Sequence, residues 1–190
     1  MMRRVALILV IFISACSRQP EKTYYQLPIV TIASQKSAIV QHDRQLWVQR
    51  VMLSDYLSSS GVVYQSSDVS YISAANHLWA SPLEQQLQQV LVAELTVALP
   101  QRLVSAQPLV NKPDTLDVTV TSFHGRYDGK VILQGYWTLT CQGRELSVIK
   151  QPFNIELKQE EDGYDDLVRT LAKGWGQLAQ AITNQLISQS

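Results

Sequence analysis

Three runs of alternating residues constrain this chain more than any other feature. Leu116, Val118 and Val120 interleave with Asp117, Thr119 and Thr121. Val131, Leu133, Trp137, Leu139 and Cys141 share one parity in the next run. Phe153, Ile155 and Leu157 alternate with Asn154, Glu156 and Lys158 in the third. A period of two puts one set of side chains on each face of a strand, so each run reads as a half-buried strand. Asp128-Gly129 is a hairpin signal between the first two runs, and Gln142-Gly143 marks a second turn. The three form an antiparallel meander with one apolar face that the rest of the chain must cover.

Two stretches can cover it. In Ser81-Pro82-Leu83-Glu84, the serine suits a helix cap, proline suits the first helical position, and Glu84 completes a capping box. Leu83, Leu87, Val90, Leu91, Leu95 and Ala98 recur at helical spacing, with Gln85, Gln86, Gln88 and Gln89 mostly on the other side. Pro100 stops this helix. A longer one runs from about Tyr164 to Ile187, with Asp162 as its expected cap. Its stripe is Tyr164, Leu167, Val168, Leu171, Trp175, Leu178, Ile182 and Leu186. At about 1.5 Å per residue it spans roughly 36 Å. Gly174 and Gly176 flank Trp175, where a backbone could approach closely. Upstream, Tyr24-Tyr25-Gln26-Leu27-Pro28 and Leu46-Trp47-Val48-Gln49-Arg50-Val51 read as strands, and residues 33–44 as a polar loop. Residues 55–61 are a turn region. Val62-Val63-Tyr64-Gln65 and Val69-Ser70-Tyr71-Ile72 read as a hairpin around Ser66-Ser67-Asp68. The expected fold class is α+β: a single domain, its antiparallel β-sheet having one face covered by two α-helices.

The N-terminus has a different character. Arg3-Arg4 precedes an unbroken apolar run from Val5 to Ile13, then Ser14, Ala15 and Cys16. That order describes a removable secretory signal. The run is shorter than the about 20 apolar residues that span a bilayer. Ile13-Ser14-Ala15-Cys16 resembles the bacterial lipobox, in which the cysteine is acylated and becomes residue one. The expected organisation is a signal over 1–15, a lipidated tether over 16–23 and the domain over 24–190. One acyl chain holds a protein marginally, at about 0.8 kcal/mol per buried CH₂, and more than one holds it stably. Ser17 follows the lipidation site Cys16. Aspartate there marks inner-membrane retention in lipoproteins of this kind, so Ser17 implies sorting to the outer membrane, facing the periplasm.

Removing residues 1–15 leaves 175 residues, enough for one domain with a real core. It takes Arg3 and Arg4 away, leaving 14 basic side chains against 16 acidic, a balance of −2. Nothing in that balance points to nucleic acid. If Cys16 carries lipid on its sulfur, the two cysteines do not form a disulfide, and Cys141 is expected as a buried, inert thiol on the apolar face. His42, His77 and His124 are isolated and lack zinc-ligand spacing. No Gly-x-Ser-x-Gly elbow or phosphate-binding glycine loop occurs. Glu160, Glu161, Asp162, Asp165 and Asp166 lack the spacing of a calcium loop and suit a helix N-terminus instead. The expectation is therefore no catalytic residue, no metal and no cofactor. Trp47, Trp79, Trp137 and Trp175 read as core, with a lipid- or partner-facing groove as the alternative. The turn Gly125-Arg126-Tyr127-Asp128-Gly129-Lys130 is either a solvated hairpin tip or a partner contact carried by Arg126, Tyr127 and Lys130.

Several motifs together resemble the ABC-type transport auxiliary lipoprotein family. They are Tyr24-Tyr25-Gln26-Leu27-Pro28, Leu46-Trp47-Val48, Asp55-Tyr56-Leu57, Gly61-Val62-Val63-Tyr64-Gln65, Leu78-Trp79-Ala80-Ser81-Pro82-Leu83 and the hairpin-tip motif 125–130. Related proteins often have proline where Ser54 stands. The resemblance implies a non-enzymatic component of a lipid-trafficking system. Its partner would be an MCE-domain tunnel protein crossing the periplasm, whose far end this lipoprotein docks or receives at the outer membrane. A homo-oligomeric ring would add avidity to that contact. Two other readings stay open: a periplasmic domain that shields a lipid itself without a tunnel partner, and an envelope hydrolase.

Overall fold

The structure is a computed structural model that describes residues 20–29, 44–142 and 146–188. The lipidation and sorting positions Cys16 and Ser17, the polar loop through residue 43, His42 and the turn at Gly143 lie outside them. The elements in order are β1 (Thr23–Tyr25), β2 (Arg44–Leu53), a 3-10 turn (Asp55–Leu57), β3 (Gly61–Gln65) and β4 (Tyr71–Trp79). Next come α1 (Leu83–Ala98), β5 (Arg102–Ser105), β6 (Asp114–Arg126), β7 (Lys130–Gln142), β8 (Leu146–Lys158) and α2 (Tyr164–Ile187).

The meander is as the alternation predicts. β6 pairs antiparallel with β7 from Thr115↔Thr140 to Arg126↔Lys130, and β7 with β8 from Lys130↔Lys158 to Gln142↔Leu146. Leu116, Val118, Val120, Val131, Leu133 and Leu139 are fully buried. α2 lies across β6, β7 and β8, α1 lies across β2 and β5, and the two helices pack on each other. One domain of α+β class results, with both helices on one face of an eight-stranded sheet. Trp175 sits at the junction. Its indole N–H donates to the Leu87 carbonyl of α1 at 3.0 Å, and its ring meets Phe123 edge-on. Gly174 lets α2 down onto the sheet, since a Cβ there would come within 2.7 Å of Leu133. Gly176 has no such role, the nearest atom being 3.8 Å from where its Cβ would stand.

The N-terminal half of the sheet departs from a purely antiparallel plan. β2 and β3 both join the same edge of β6, and both run parallel to it: β2 along Leu46↔Asp114 to Leu53↔Val120, and β3 at Tyr64↔Gly125 and Gln65↔Arg126. The 3-10 turn carries the chain outwards between them. Ser54 N–H bonds Val120 O, and the Tyr56 hydroxyl bonds Thr121 O. β5 extends β2 in parallel, β4 pairs antiparallel with β3, and β1 runs parallel to β4. The first strand is therefore Thr23–Tyr25 rather than 24–28, and it begins inside the expected tether.

Buried polar side chains hold this half together. Asp114 is 2% exposed and receives Arg44 and Arg102, each at 2.8 Å, and the Gln142 backbone N–H at 2.7 Å. It thereby ties β2, β5, β6 and β7 at one point. Gln45 donates to Ser105 Oγ and Gln107 O and accepts from the N–H groups of Leu109 and Val110, fastening the loop after β5. Gln86 is fully buried rather than facing outwards. Its Oε1 accepts the Leu27 N–H at 2.8 Å and its Nε2 donates to Ser81 O at 2.9 Å.

Other expectations need correcting. Ser81 makes no cap bond: Pro82 takes the N-cap position, and the Ser81 carbonyl serves Gln86. Asp162 does not cap α2. Gly163 does, at φ 113°, a conformation that disfavours any side chain. Cys141 is half-buried at the rim of the core rather than enclosed. Trp79, Trp137 and Trp175 are core, but Trp47 is half-buried and donates to Ala106 O.

Candidate functional site: the hairpin tip and its cleft

One end of the domain carries two strand turns and the start of α2. The β6–β7 turn is Tyr127-Asp128-Gly129, closed by Gly129 N–H to Arg126 O at 3.0 Å, with Gly129 at φ 76°. That left-handed position is where glycine belongs in a three-residue hairpin loop. The Gln159 N–H then bonds Gly129 O at 2.9 Å and brings the β8–α2 connection against the tip.

The charges here are internally matched. Arg126 makes two bonds to the Asp128 carboxylate, at 2.9 and 2.7 Å, and reaches Glu156 at 3.0 Å. Lys130 pairs with Glu156 at 2.5 Å. The Arg126 guanidinium holds the Asp128 carboxyl below the usual carboxylate range; Lys130 first and Arg126 second do the same for Glu156. Arg126 and Lys130 lie at the surface, 23% and 40% exposed, but are held by Asp128 and Glu156 rather than left unpaired as the sequence suggests. They cross-link the tip to the neighbouring strand. Tyr127 does face outwards, at 55% exposure.

Between the tip and α2 lies an open cleft of about 330 Å³, lined among others by Tyr64, Tyr127, Gln159, Gly163, Tyr164 and Leu167. On one side Tyr164 stacks on His77 at 3.9 Å, and the Tyr25 hydroxyl lies 3.0 Å from His77 Nδ1. Burial, followed by Asp165, raises the Tyr25 phenol above its ordinary value. On the sheet's outer face, His124 is buried against Tyr71, with Nδ1–H donating to Gly125 O at 3.0 Å. Burial pushes its pKa down, so it sits neutral within an aromatic cluster. The remaining acidic cluster is structural. Asp166 Oδ2 accepts the N–H groups of Glu160 and Glu161 and folds the loop before α2. Among the described residues, no group of histidine, cysteine and carboxylate side chains could hold a metal ion. What the site offers is a rigid, charge-neutralised edge with one exposed tyrosine beside an aromatic cleft, which suits contact rather than chemistry.

Among the site residues named from sequence, the structure brings Arg126, Tyr127 and Lys130 together. Sequence reasoning missed Tyr64, Gln159, Gly163 and Tyr164 as wall residues. Only Gly163, beside the helix start, carried a local signal.

An architecture of two helices on one face of a split sheet, with a self-bonded tip, is that of a scaffold carrying a contact edge. Residues 25–183 match the model of the ABC-type transport auxiliary lipoprotein component, and the chain belongs to that family. It is similar to the intermembrane transport lipoprotein PqiC of Escherichia coli (strain K12), at 49% identity over 94% of both chains. The PqiC of Shigella flexneri matches equally well. A crystal structure described only as an uncharacterized protein superposes with a TM-score of 0.78 at 50% identity, covering 87% of this chain and 99% of that one. A Xanthomonas campestris protein shares the fold at a TM-score of 0.64 and 14% identity, covering 88% of this chain and all of its own.

Proposed function

We propose that this chain is an outer-membrane lipoprotein of an MCE-type intermembrane phospholipid transport system. In this reading it is anchored through Cys16 and sorted by Ser17. It docks or receives the far end of a tunnel protein of the PqiB type and supports envelope integrity. The observation that carries the reading is the near-full-length similarity, at 49% identity, to PqiC, whose name places that protein in intermembrane transport. The family is one of transport components rather than enzymes. Among the described residues no helix is long and apolar enough to cross a membrane.

The interior supports docking over lipid shielding. The space between helices and sheet, where an acyl chain would lie, is occupied by Trp137, Trp175, Phe123 and Leu133, none more than 2% exposed. Partner contact then falls to Tyr127 and its cleft, and a ring of copies would repeat that contact. The test is co-purification of the intact lipoprotein from membranes in mild detergent. An MCE-domain protein should accompany it, and Cys16→Ala should leave a folded protein absent from outer-membrane vesicles. Recovery without any MCE-domain protein, or a Cys16→Ala variant still in those vesicles, would overturn the reading.

A further inference from the structure

The direction of β1 tells which end of the domain meets the bilayer. β1 runs parallel to β4, with Thr23 beside His77 and Tyr25 beside Trp79. β4 starts at Tyr71, level with Gln65 and so with Arg126 at the β6–β7 tip. The chain therefore enters the sheet travelling away from the two turns, so Thr23 is the end of β1 nearer to them. Counted along β4, His77 is six residues from Tyr71, so Thr23 lies at most about 20 Å from the level of the tip at 3.3 Å per residue. β6 is 13 residues long, about 43 Å, so the opposite end lies at least about 23 Å from Thr23. The seven residues from Cys16 to Lys22 reach at most about 25 Å. A tether of that length reaches the surface most readily at the two turns, the end towards which the start of β1 faces.

The β3–β4 turn at this end is built for such a surface. Apart from the exposed Asp68 side chain, groups of the turn bond within it: Ser66 N–H and Oγ–H to Ser70 O, Gln65 Nε2 to Asp68 O, and Val69 N–H to Ser67 Oγ. The apolar side chains are left outside, with Val69 at 80% exposure, Ile72 at 56% and Tyr71 at 47%. Backbone groups satisfied internally lower the cost of entering a poorly hydrated layer. Tyrosine beside aliphatic residues is the composition that settles at headgroup depth. The charges of the neighbouring tip cancel in pairs, and the acidic loop 160–162 lies at the same end, which suits zwitterionic rather than anionic headgroups.

We propose that Val69, Tyr71 and Ile72 form a second membrane contact that inserts at headgroup depth beside the acyl anchor and fixes the domain upright, with the Tyr127 cleft held just above the bilayer. The proposal rests on the lipid anchor at Cys16. To test it, the intact acylated protein carrying Cys141→Ser would be reconstituted on vesicles of phosphatidylethanolamine and phosphatidylcholine. An environment-sensitive fluorophore would be placed at Val69→Cys or, near the opposite end, at Leu109→Cys. Doxyl-lipid quenching should be several-fold stronger at position 69, and Val69→Ser with Ile72→Ser should loosen the orientation so that quenching of a label at Tyr71→Cys falls. Equal quenching at 69 and 109, or none at 69 while the protein still floats with the vesicles, would overturn the contact and leave the anchor standing. A protein that does not float would overturn both.

Discussion

The meander with α2 and the parallel half of the sheet share β6, yet they are held by different means. On the meander side the chain writes its own register: apolar residues at every second position, turns between them, and a helical stripe to cover them. On the other side β2 lies parallel to both β5 and β6, β3 lies parallel to β6 but antiparallel to β4, and buried polar groups help set their positions. Asp114, Gln45 and Gln86 are each below 3% exposed; Asp114 and Gln86 each join separate segments, and Gln45 fastens β5 and the loop after it. The first region is stabilised by area removed from water, which tolerates small shifts. The second depends on directional bonds, which do not.

That contrast predicts how each half breaks. The largest effect should come from Trp175→Ala, where the two halves meet. It removes a fully buried ring and its bond to Leu87 O, and about 3–5 kcal/mol of stability should go with it, read by thermal or denaturant unfolding. Unchanged melting with reduced partner capture would instead make Trp175 an interface residue. Asp114→Ala should come next, at about 3 kcal/mol, because Arg102 is left buried without its carboxylate while the more exposed Arg44 regains water. If Asp114→Leu proved as stable as wild type, the ion knot would serve register rather than stability. Gln86→Ala should cost about 1–3 kcal/mol, the range for stranding a buried N–H, here that of Leu27. Its signature should be local, with faster hydrogen exchange at residues 25–27 before global unfolding.

How much was legible follows from the same contrast. The meander, α2, the Gly129 turn and the class of the fold can be read because their signals are local and periodic. The parallel pairing of β2 with β6 cannot, since alternation names a strand's faces and not its neighbour. Gln86 reads as surface because a glutamine on a helix is written the same way whether it faces water or clasps Leu27. Ser81 and Asp162 look like caps by composition, while the actual positions fall to Pro82 and Gly163 through backbone geometry. At the tip, Tyr127 was legible as an exposed aromatic. The pairing of Arg126 with Glu156 was not, because it needs the register of β7 on β8, 30 residues along the chain.

The smallest stability effect should come from the tip itself, which is why it separates contact from fold. Arg126→Ala with Tyr127→Ala removes a surface ion cluster and an exposed ring. Register survives, because Phe123, Val131 and Leu133 remain buried and Gly129 still turns the chain. Exposed ion pairs contribute about 0–1 kcal/mol, so the melting temperature should move by no more than about 3 °C. Capture of an MCE-domain partner should nevertheless weaken, since tyrosine is a residue type that dominates binding hot spots. Because Arg126 is already committed to Asp128 and Glu156, the loss should track Tyr127: Arg126→Ala alone should bind nearly as wild type, and Tyr127→Ala alone should reproduce the double variant. If Arg126→Ala alone abolished capture, the ion cluster would be the recognition element and the cleft beside it mere scaffold. If neither single change mattered, the partner would meet another face.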